Sequence, residues 1–401
     1  MIPKQQILDF AERFDLQPTT IEKDYALGWL LIGVSRHSVL SRWTFKGGTC
    51  LKKCFFETYR FSEDLDFTVP TDESLTEESI RAWLGQIATR LEPEVGLQFP
   101  RDRISVERYT NPRGHDSFQA KLTYVGPLGL ARHSLQRVKF DLTQDELQAD
   151  EPELREVFHP YDDSPQPPPR VRCYSLNEIL AEKTRALCER DGRARDVYDV
   201  VHLNREFKDA ISADKAADIA RRKFAFKELD PPTVELILGH VDRDALAAAW
   251  NQQLRHQLPH LPPVETFFDE LRGALAWWLE PALTREELPA IPTAPSEQPV
   301  RRDRFPVLAS FGASVRHGAP LDLLRYAARN RLCATVVYHD IVRTVEPYSL
   351  RLAATGNLLL YAYELDRSGH PTHTLKAYRL AEIGDARVLD RPFVPRYRVE
   401  L

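Results

Sequence analysis

TFKGGT at residues 44–49 and RFSEDLDF at residues 60–67 are the two most informative segments of this chain. In the second segment, Asp64 and Asp66 alternate with apolar residues, which predicts a short strand with both carboxylates on one face. Carboxylate oxygens are the ligands that Mg²⁺ prefers in proteins, usually together with the oxygens of substrate phosphates. The segment therefore predicts a magnesium site.

The glycines of the first segment predict the other half of such a site. Gly47 and Gly48 allow the backbone to approach a phosphate closely. A helix predicted over residues 49–58 would direct its first amides at that phosphate. Either pattern alone is more often an ordinary turn or an exposed strand end. Together they predict that the chain holds a nucleoside triphosphate on a metal ion.

The composition is that of an ordinary globular protein. A chain of 401 residues, 43% hydrophobic and 28% charged, is expected to form two or three domains. The net charge of -5 argues against a protein that coats polyanions, so any nucleic-acid contact requires a local basic patch. The five cysteines are scattered, which predicts neither a disulfide framework nor a zinc site. Without a long apolar run or a hydrophobic signal core, a cytoplasmic protein with no membrane partner is expected.

Alternating runs between residues 97 and 142 predict further strands. In the last of these runs, apolar residues alternate with Lys139 and Asp141, so Asp141 is predicted on the polar face. It would then join Asp64 and Asp66 as a third carboxylate. The alternative is an exposed strand aspartate without a role.

A proline-rich connector within residues 159–172 separates this mixed part from a helical part. Ser175 and Glu178 predict a capping box that opens a helix ending near residue 189. A second helix is predicted to start near Arg193, and the three-residue spacing of Asp196 and Asp199 places both on one face.

The charged side chains of these two helices allow two interpretations. They form either a surface ladder of ion pairs, which contributes little to stability, or part of the site. Read together with the upstream segments, they favour a site, with a basic surface suited to an RNA end that consists of Lys183, Arg185, Arg190, Arg193 and Arg195.

The last third of the chain has a different pattern. Residues 281–306 are rich in proline and predict a linker. A short amphipathic helix is predicted over residues 322–330. Alternating runs over 334–338, 341–345, 349–353, 357–363 and 374–380 then predict a small, strongly twisted β-barrel or sheet within residues 307–401.

The order of the Gly-Gly segment, the helix and the Asp-x-Asp strand resembles the polymerase β-like nucleotidyltransferase superfamily. More narrowly, FKGGT followed by RFSEDLDF is similar to the AbiEii/AbiGii toxin family, which includes the MenT-type tRNA-modifying toxins. AEKTRAL at residues 181–187 and RDVYD at 195–199 resemble the helical motif of the same family. The resemblance covers about residues 15–280. It implies an α+β fold, with a nucleotidyltransferase core over residues 1–163 and a helical lobe over 170–280 that completes the active site.

The C-terminal part resembles a WYL domain, a barrel of the Sm or SH3 type that senses ligands or nucleic acid. Its characteristic Trp-Tyr-Leu triplet is replaced by leucines at residues 358–360, and Glu382 stands where an arginine is usual. Several side chains would line a ligand site or form an ordinary barrel core with surface arginines: Arg343, Tyr348, Tyr361, Tyr363 and Arg379.

The AbiEii resemblance implies roles for individual residues. Asp64, Asp66 and Asp141 are expected to hold Mg²⁺, and Asp141 or Asp196 to help deprotonate the attacking hydroxyl. Lys183 is expected to act in catalysis as a phosphate ligand. The full set implied to bind the nucleotide is Lys46, Gly47, Gly48, Thr49, Ser62, Lys183 and Arg185.

The implied function is a Mg²⁺-dependent toxin that transfers a nucleoside monophosphate from a nucleoside triphosphate to an acceptor, expected to be the 3′ end of tRNA. A role in a toxin–antitoxin system or phage defence, with a separate antitoxin protein as partner, is expected from the family. Two alternatives remain open: nucleotidylation of a protein, and a WYL-type regulator whose transferase fold is an inactive scaffold.

Overall fold

The computed structural model describes residues 1–56, 60–110, 114–280, 288–300 and 320–401. The chain divides into two compact units, the first formed by Met1–Leu261 with Leu271–Pro281 and the second by Pro262–Glu270 with Ala282–Leu401. Across the described ranges, no helix combines the length and the apolar character that crossing a membrane requires.

The first unit is built on a seven-stranded mixed sheet with the strand order β3-β4-β5-β2-β1-β7-β6. The strands are β1 (Thr44–Lys46), β2 (Asp64–Thr68), β3 (Ile104–Thr110), β4 (Asp116–Thr123), β5 (Arg137–Thr143), β6 (Glu153–Glu156) and β7 (Arg170–Cys173). The helices are α1 (Lys4–Phe14), α2 (Pro18–Ser35), α3 (Gly47–Cys50), α4 (Glu77–Val95), α5 (Leu176–Glu189), α6 (Ala194–Phe207), α7 (Ala213–Phe226), α8 (Val234–Gly239), α9 (Arg243–Leu254) and α10 (Val264–Leu279), of which α10 has residues in both units.

Strand register decides which side chains share the polar face of this sheet. Strand β2 pairs in parallel with β5, where Asp66 lies opposite Asp141, and antiparallel with β1, where Asp66 lies opposite Lys46. Residues directly opposite each other on neighbouring strands point to the same face. The other face of β2 carries Leu65 and Phe67, which are buried in the core. The alternation of apolar and acidic residues therefore fixes the three aspartates on one side.

Two local predictions differ from the structure. The helix expected from residue 49 begins earlier, as α3, and continues as a π-helical turn over Leu51–Phe55, while residues 57 and 58 lie outside the described ranges. Ser175 caps α5 as predicted, but the carboxylate of Glu178 accepts hydrogen bonds from the amides of Ala149 and Asp150. The capping box is therefore only half formed, because Glu178 joins α5 to the segment that follows β5.

The second unit contains helix α11 (Pro320–Arg329) and a six-stranded antiparallel sheet with the main order β12-β11-β10-β9-β13. The strands are β8 (Gln298–Pro299), which pairs with β10, β9 (Leu332–Tyr338), β10 (Ile341–Leu352), β11 (Leu358–Arg367), β12 (His370–Arg379) and β13 (Ile383–Pro392).

The strand predictions for this unit need two corrections. The runs expected at residues 341–345 and 349–353 form the single strand β10, with irregular pairing around Pro347, and β13 was not predicted. The strand order of the described residues is open, so a closed WYL-like barrel stays a prediction. Parts of the expected linker, residues 281–287 and 301–306, lie outside the described ranges.

Candidate active site

A cleft of about 300 Å³ lies between the polar face of the first sheet and the segment formed by α5 and the start of α6. It is lined by all but one of the residues implied by the resemblance: Lys46, Gly47, Gly48, Ser62, Asp64, Asp66, Asp141, Lys183, Arg185 and Asp196. The exception is Thr49, which is buried and donates its hydroxyl hydrogen bond to the carbonyl of Asp64. Its side chain joins α3 to β2 and does not line the cleft.

Negative charge is concentrated at Asp66. Burial and the neighbouring charges of Asp141 and Asp64 raise the pKa of Asp66 from 3.8 to about 6. The charges of Lys46 and Lys183 oppose this shift only in part. The site therefore favours an additional positive charge beside Asp66.

Lys139 supplies one such charge and was given no role by the sequence analysis. Its ammonium nitrogen lies 2.8 Å from an oxygen of Asp141 and 3.4 Å from an oxygen of Asp64. The amide of Gln119 donates a hydrogen bond of 3.0 Å to the other oxygen of Asp141. The position of Lys139, two residues before Asp141 on one strand, was the signal that it shares this face.

Gly47 and Gly48 are needed for the packing of charged side chains against α3. Gly47 has φ +79°, and a Cβ atom there would lie 2.3 Å from Oδ2 of Asp66. A Cβ atom on Gly48 would lie 2.6 Å from Nη2 of Arg60. The two glycines therefore admit Asp66 and Arg60 to the edge of the cleft, in addition to any approach by a phosphate.

A buried network of ion pairs joins Lys183 on α5 to two aspartates on α6 and to Arg60, which precedes β2. The Lys183 nitrogen lies 2.9 Å from Asp196 and 2.7 Å from Asp199, in keeping with the predicted shared face of these aspartates. Arg60 donates two hydrogen bonds, of 2.8 and 2.7 Å, to the same Asp199. Burial alone would lower the pKa of Lys183, but Asp196 and Asp199 outweigh it and raise that pKa. Lys183 therefore remains an ammonium ion. Arg60 and Asp199 belong to the quoted motifs but had been given no role.

Lys46 and Arg185 line the cleft but are already paired with carboxylates. Lys46 lies 3.1 Å from Glu182 and 3.7 Å from Glu146. Arg185 lies 2.9 Å from Glu146 and 3.4 Å from Glu189. Sequence reasoning did not find Glu146, which lies outside the quoted motifs, and it considered Glu182 only as a member of a surface ladder of ion pairs. A nucleotide would have to share Lys46 and Arg185 with these carboxylates.

Arg193 and Arg195 differ from the other cations of the cleft. Neither has a carboxylate partner within ion-pair distance in the part of the chain that the structure describes. The Nε atom of Arg195 is buried and has no hydrogen-bond partner there. Burial, together with the charges of Arg193 and Arg60, lowers the pKa of Arg195. An anion bound in the cleft would relieve this excess of positive charge.

The cleft therefore has an acidic wall on β2 and β5 and a basic wall on α5 and α6. Phosphoryl-transfer sites require carboxylates that bind a divalent metal ion and basic side chains that bind phosphate oxygens. The two walls of the cleft provide these two groups. The geometry is suited to a polyphosphate ester bound together with a metal ion.

The comparison with family models agrees with this chemistry. Residues 29–276 match the family model of the nucleotidyl transferase AbiEii toxin, type IV TA system. No curated protein gave a significant match. One similar solved structure is MenT4, a nucleotidyltransferase toxin from Mycobacterium tuberculosis H37Rv, with 18% identity, a TM-score of 0.48, and coverage of 70% of this chain and 90% of that chain. The match to the family model confirms the resemblance drawn from the two segments: this chain belongs to the AbiEii nucleotidyl transferase toxin family.

Proposed function

We propose that this protein is a toxin that transfers a nucleoside monophosphate from a nucleoside triphosphate to a hydroxyl at the 3′ end of tRNA. The observation that carries the proposal is the single cleft with Asp64, Asp66 and Asp141 on one wall and Lys183 and the arginines on the other. Family membership supports the reaction class. The tRNA acceptor and Mg²⁺ are proposed from the resemblance described above.

The acidic wall fits a divalent cation. Burial and the charges of Asp141 and Asp64 raise the pKa of Asp66, and the neighbouring lysines do not fully offset them. The three carboxylates do not form a ready-made ligand set among the described residues, in keeping with the preference of Mg²⁺ for one or two carboxylates plus substrate phosphates. Asp64, Asp66 and Asp141 would hold the ion. When bound, Mg²⁺ supplies positive charge that offsets the triphosphate and the leaving pyrophosphate.

Asp141 is better suited than Asp196 to accept the proton of the attacking hydroxyl. The side chain of Asp141 is 35% exposed to the cleft, whereas that of Asp196 is 2% exposed and held by Lys183 and Arg190. As the acceptor oxygen bonds to the α-phosphorus, its proton passes to Asp141. The bond from that phosphorus to the bridging oxygen breaks, and pyrophosphate leaves. Asp196 then acts as a positioning residue for Lys183.

The basic wall is proposed to bind the phosphates. Lys183 and Arg195 would contact phosphate oxygens directly, with the hydroxyl of Ser62 at the edge of the cleft. Arg195 is the stronger candidate of the two because its guanidinium lacks a carboxylate partner in the described ranges. Lys46, paired with Glu182, would instead keep β1 beside α5, and Arg185, paired with Glu146, would keep α5 beside the segment that follows β5.

The proposal is tested by a transfer assay with purified protein, Mg²⁺, total tRNA and each of the four labelled ribonucleoside triphosphates in turn. Asp66→Asn keeps the shape of the side chain but removes its charge, so labelling of tRNA should fall at least a hundredfold, or by about 3 kcal/mol of transition-state stabilisation. The matched control is Asp218→Asn, an exposed aspartate on α7 that should leave labelling unchanged. Label on protein instead of RNA would identify a protein nucleotidyltransferase, and no label on either would overturn the proposed activity.

The biological role follows from the same activity. A modified tRNA end blocks aminoacylation, so expression of the protein in the bacterial cytoplasm should arrest growth, and a cognate antitoxin should relieve the arrest. Under the proposed role, growth arrest requires the carboxylate of Asp66. Arrest by Asp66→Asn at wild-type protein level would separate toxicity from nucleotide transfer.

A further inference from the structure

Three of the five cysteines meet in the interior of the first unit. Cys50 is the last residue of α3, Cys54 lies in the π-helical turn that follows, and Cys173 ends strand β7. The three sulfur atoms all lie within 4.8 Å of one another. Cys50 and Cys173 are fully buried, and Cys54 retains 8% exposure.

The cluster arises from the strand pairing of the first sheet. Strand β7 pairs in parallel with β1, and Cys173 lies opposite Phe45 in that register. Strand β1 leads directly into α3 and the π-helical turn. Cys173 therefore lies beside Cys50 and Cys54, which are four residues apart in the sequence. The scattered cysteine spacing predicted no metal site, because the third member of the set comes from a distant strand.

Three sulfur atoms at this separation form a ligand set. Metal–thiolate bonds of about 2.3 Å place three sulfurs around one ion roughly 4 Å apart, which small side-chain rotations would reach from the observed separation. The set contains sulfur alone, without oxygen or nitrogen ligands. Thiolate ligands select soft ions such as Cu⁺ and Zn²⁺ over hard ions such as Mg²⁺. We propose that Cys50, Cys54 and Cys173 bind one thiophilic metal ion, at a site separate from the acidic wall of the cleft.

The surroundings of Cys54 favour a thiolate. Arg155 donates a hydrogen bond of 3.4 Å from Nε to the carbonyl of Cys54. Burial alone would raise the pKa of the Cys54 thiol, but hydrogen bonds with Cys173 and Cys50 and the charges of Arg155 and Lys53 lower it to about 5. Burial raises the pKa values of the Cys50 and Cys173 thiols well above 9.0, so an ion that binds here has to displace their protons. Two basic side chains help to offset the negative charge of the resulting thiolates.

An ion at this position would act on the wall of the cleft. Helix α3 begins with Gly47 and Gly48, which line the cleft, and ends with Cys50. Coordination by Cys50 and Cys173 would join α3 to β7, in addition to the backbone pairing of β1 with β7. The ion is therefore expected to stabilise the first unit, whether or not the cleft transfers nucleotides.

The test uses the full chain, reduced and stripped with a chelator under anaerobic conditions, and Cd²⁺ as a spectroscopic probe. The expected result is one ion per chain, a thiolate-to-metal charge-transfer band in the ultraviolet, and a higher melting temperature. Cys54→Ser and Cys173→Ser should each weaken binding at least tenfold. Cys188→Ser and Cys333→Ser are the matched controls, since both cysteines are buried but lie outside the cluster, and they should bind as the wild type does.

A second measurement does not depend on whether the variants fold. X-ray absorption of the loaded wild-type protein, with Cu⁺ and with Zn²⁺, should give three sulfur neighbours at about 2.3 Å. A first shell dominated by oxygen or nitrogen would overturn the proposal. So would failure of the reduced wild type to retain any of the three ions, or equal loss of binding in the control variants.

Discussion

The ionised carboxylate of Asp66 lowers the stability of the folded protein. Its folded pKa of about 6 lies above the 3.8 of the free side chain, so the folded state binds more protons than the unfolded state between these values. Stability is therefore lost as the pH rises from about 4 to about 6, and the loss persists at higher pH. A shift of this size corresponds to an upper limit of about 3 kcal/mol.

The first prediction is that Asp66→Asn stabilises the metal-free protein at neutral pH. Because the amide cannot ionise, the variant avoids the repulsion from Asp64 and Asp141, and its gain should disappear near pH 4. Urea unfolding in EDTA at pH 4.0 and pH 7.5 measures the difference. An equal effect at both pH values would contradict the assigned cause, and Asp218→Asn should show no gain at either pH.

A second prediction concerns Arg195. Replacing it by alanine removes a cleft guanidinium without leaving a buried carboxylate unpaired, so protein stability should change little. Loss of a charge-assisted contact to phosphate should weaken triphosphate binding about tenfold or more. Calorimetry with a non-hydrolysable triphosphate analogue measures this change. Arg221→Ala, an exposed change on α7, serves as the control, and unchanged affinity in Arg195→Ala would remove Arg195 from the phosphate site.

At the scale of elements, α3 depends on small residues at its start. The guanidinium of Arg60 is fixed by Asp199 and by the side-chain oxygen of Gln257, so it has no room to move away from a new Cβ atom. We predict that Gly48→Ala destabilises the protein by about 1–3 kcal/mol and lowers nucleotide transfer.

Gly85, in α4, offers a matched control. A Cβ atom there meets no atom within 4 Å, and alanine is favoured over glycine in a helix interior. Gly85→Ala should therefore stabilise the protein by about 0.5–1 kcal/mol. Thermal unfolding of the two variants side by side measures both effects, and the same sign for both would contradict the packing described for α3.

Short-range sequence patterns predicted the individual strands and helices better than the contacts between them. The alternation of apolar and polar residues in 60–67 and 136–142 correctly predicted that the three aspartates share one face of the sheet. Neighbouring residues of a strand point to opposite faces, so the alternation in the sequence decides which side chains share a face. The pairing of Lys46 and Arg185 with glutamates was not visible, since Glu146 comes from the segment after β5. The cysteine cluster was hidden for the same reason: its third member depends on a pairing between distant strands.

For the molecule as a whole, a net charge of -5 limits the ways in which RNA can be bound. Under the proposed function, attraction to tRNA is expected from three arginines that line the cleft: Arg190, Arg193 and Arg195. Three phosphate contacts to a single strand predict a slope of about -2 for the logarithm of the binding constant against the logarithm of the salt concentration.

The Arg190→Gln, Arg193→Gln double variant should reduce this slope to roughly -0.7. Fluorescence anisotropy with labelled tRNA over a salt series measures both slopes. Arg81→Gln, a change at an exposed arginine on α4, should leave the slope at its wild-type value. A slope near -2 that persists in the double variant would place the RNA on another surface.

Of the molecule as a whole, the sequence predicted the first unit well and the second unit only in part. For the first unit, two segments were sufficient to identify the family, and the match to the family model confirmed it. In the second unit, the polar and apolar residues of β13 do not alternate regularly, so periodicity did not reveal it. The open strand order of that unit leaves its likeness to a WYL domain as a prediction.

Asp199 has one further consequence. A single carboxylate holds both Arg60, just before β2, and Lys183, on α5. Arg60 and Lys183 come from distant segments of the chain, yet their positions are fixed in the folded protein before any substrate binds. A triphosphate would meet a preorganised site and lose little binding free energy to the ordering of protein side chains. Under the proposed function, the entropic cost of ordering these side chains is met during folding, and not during each catalytic cycle.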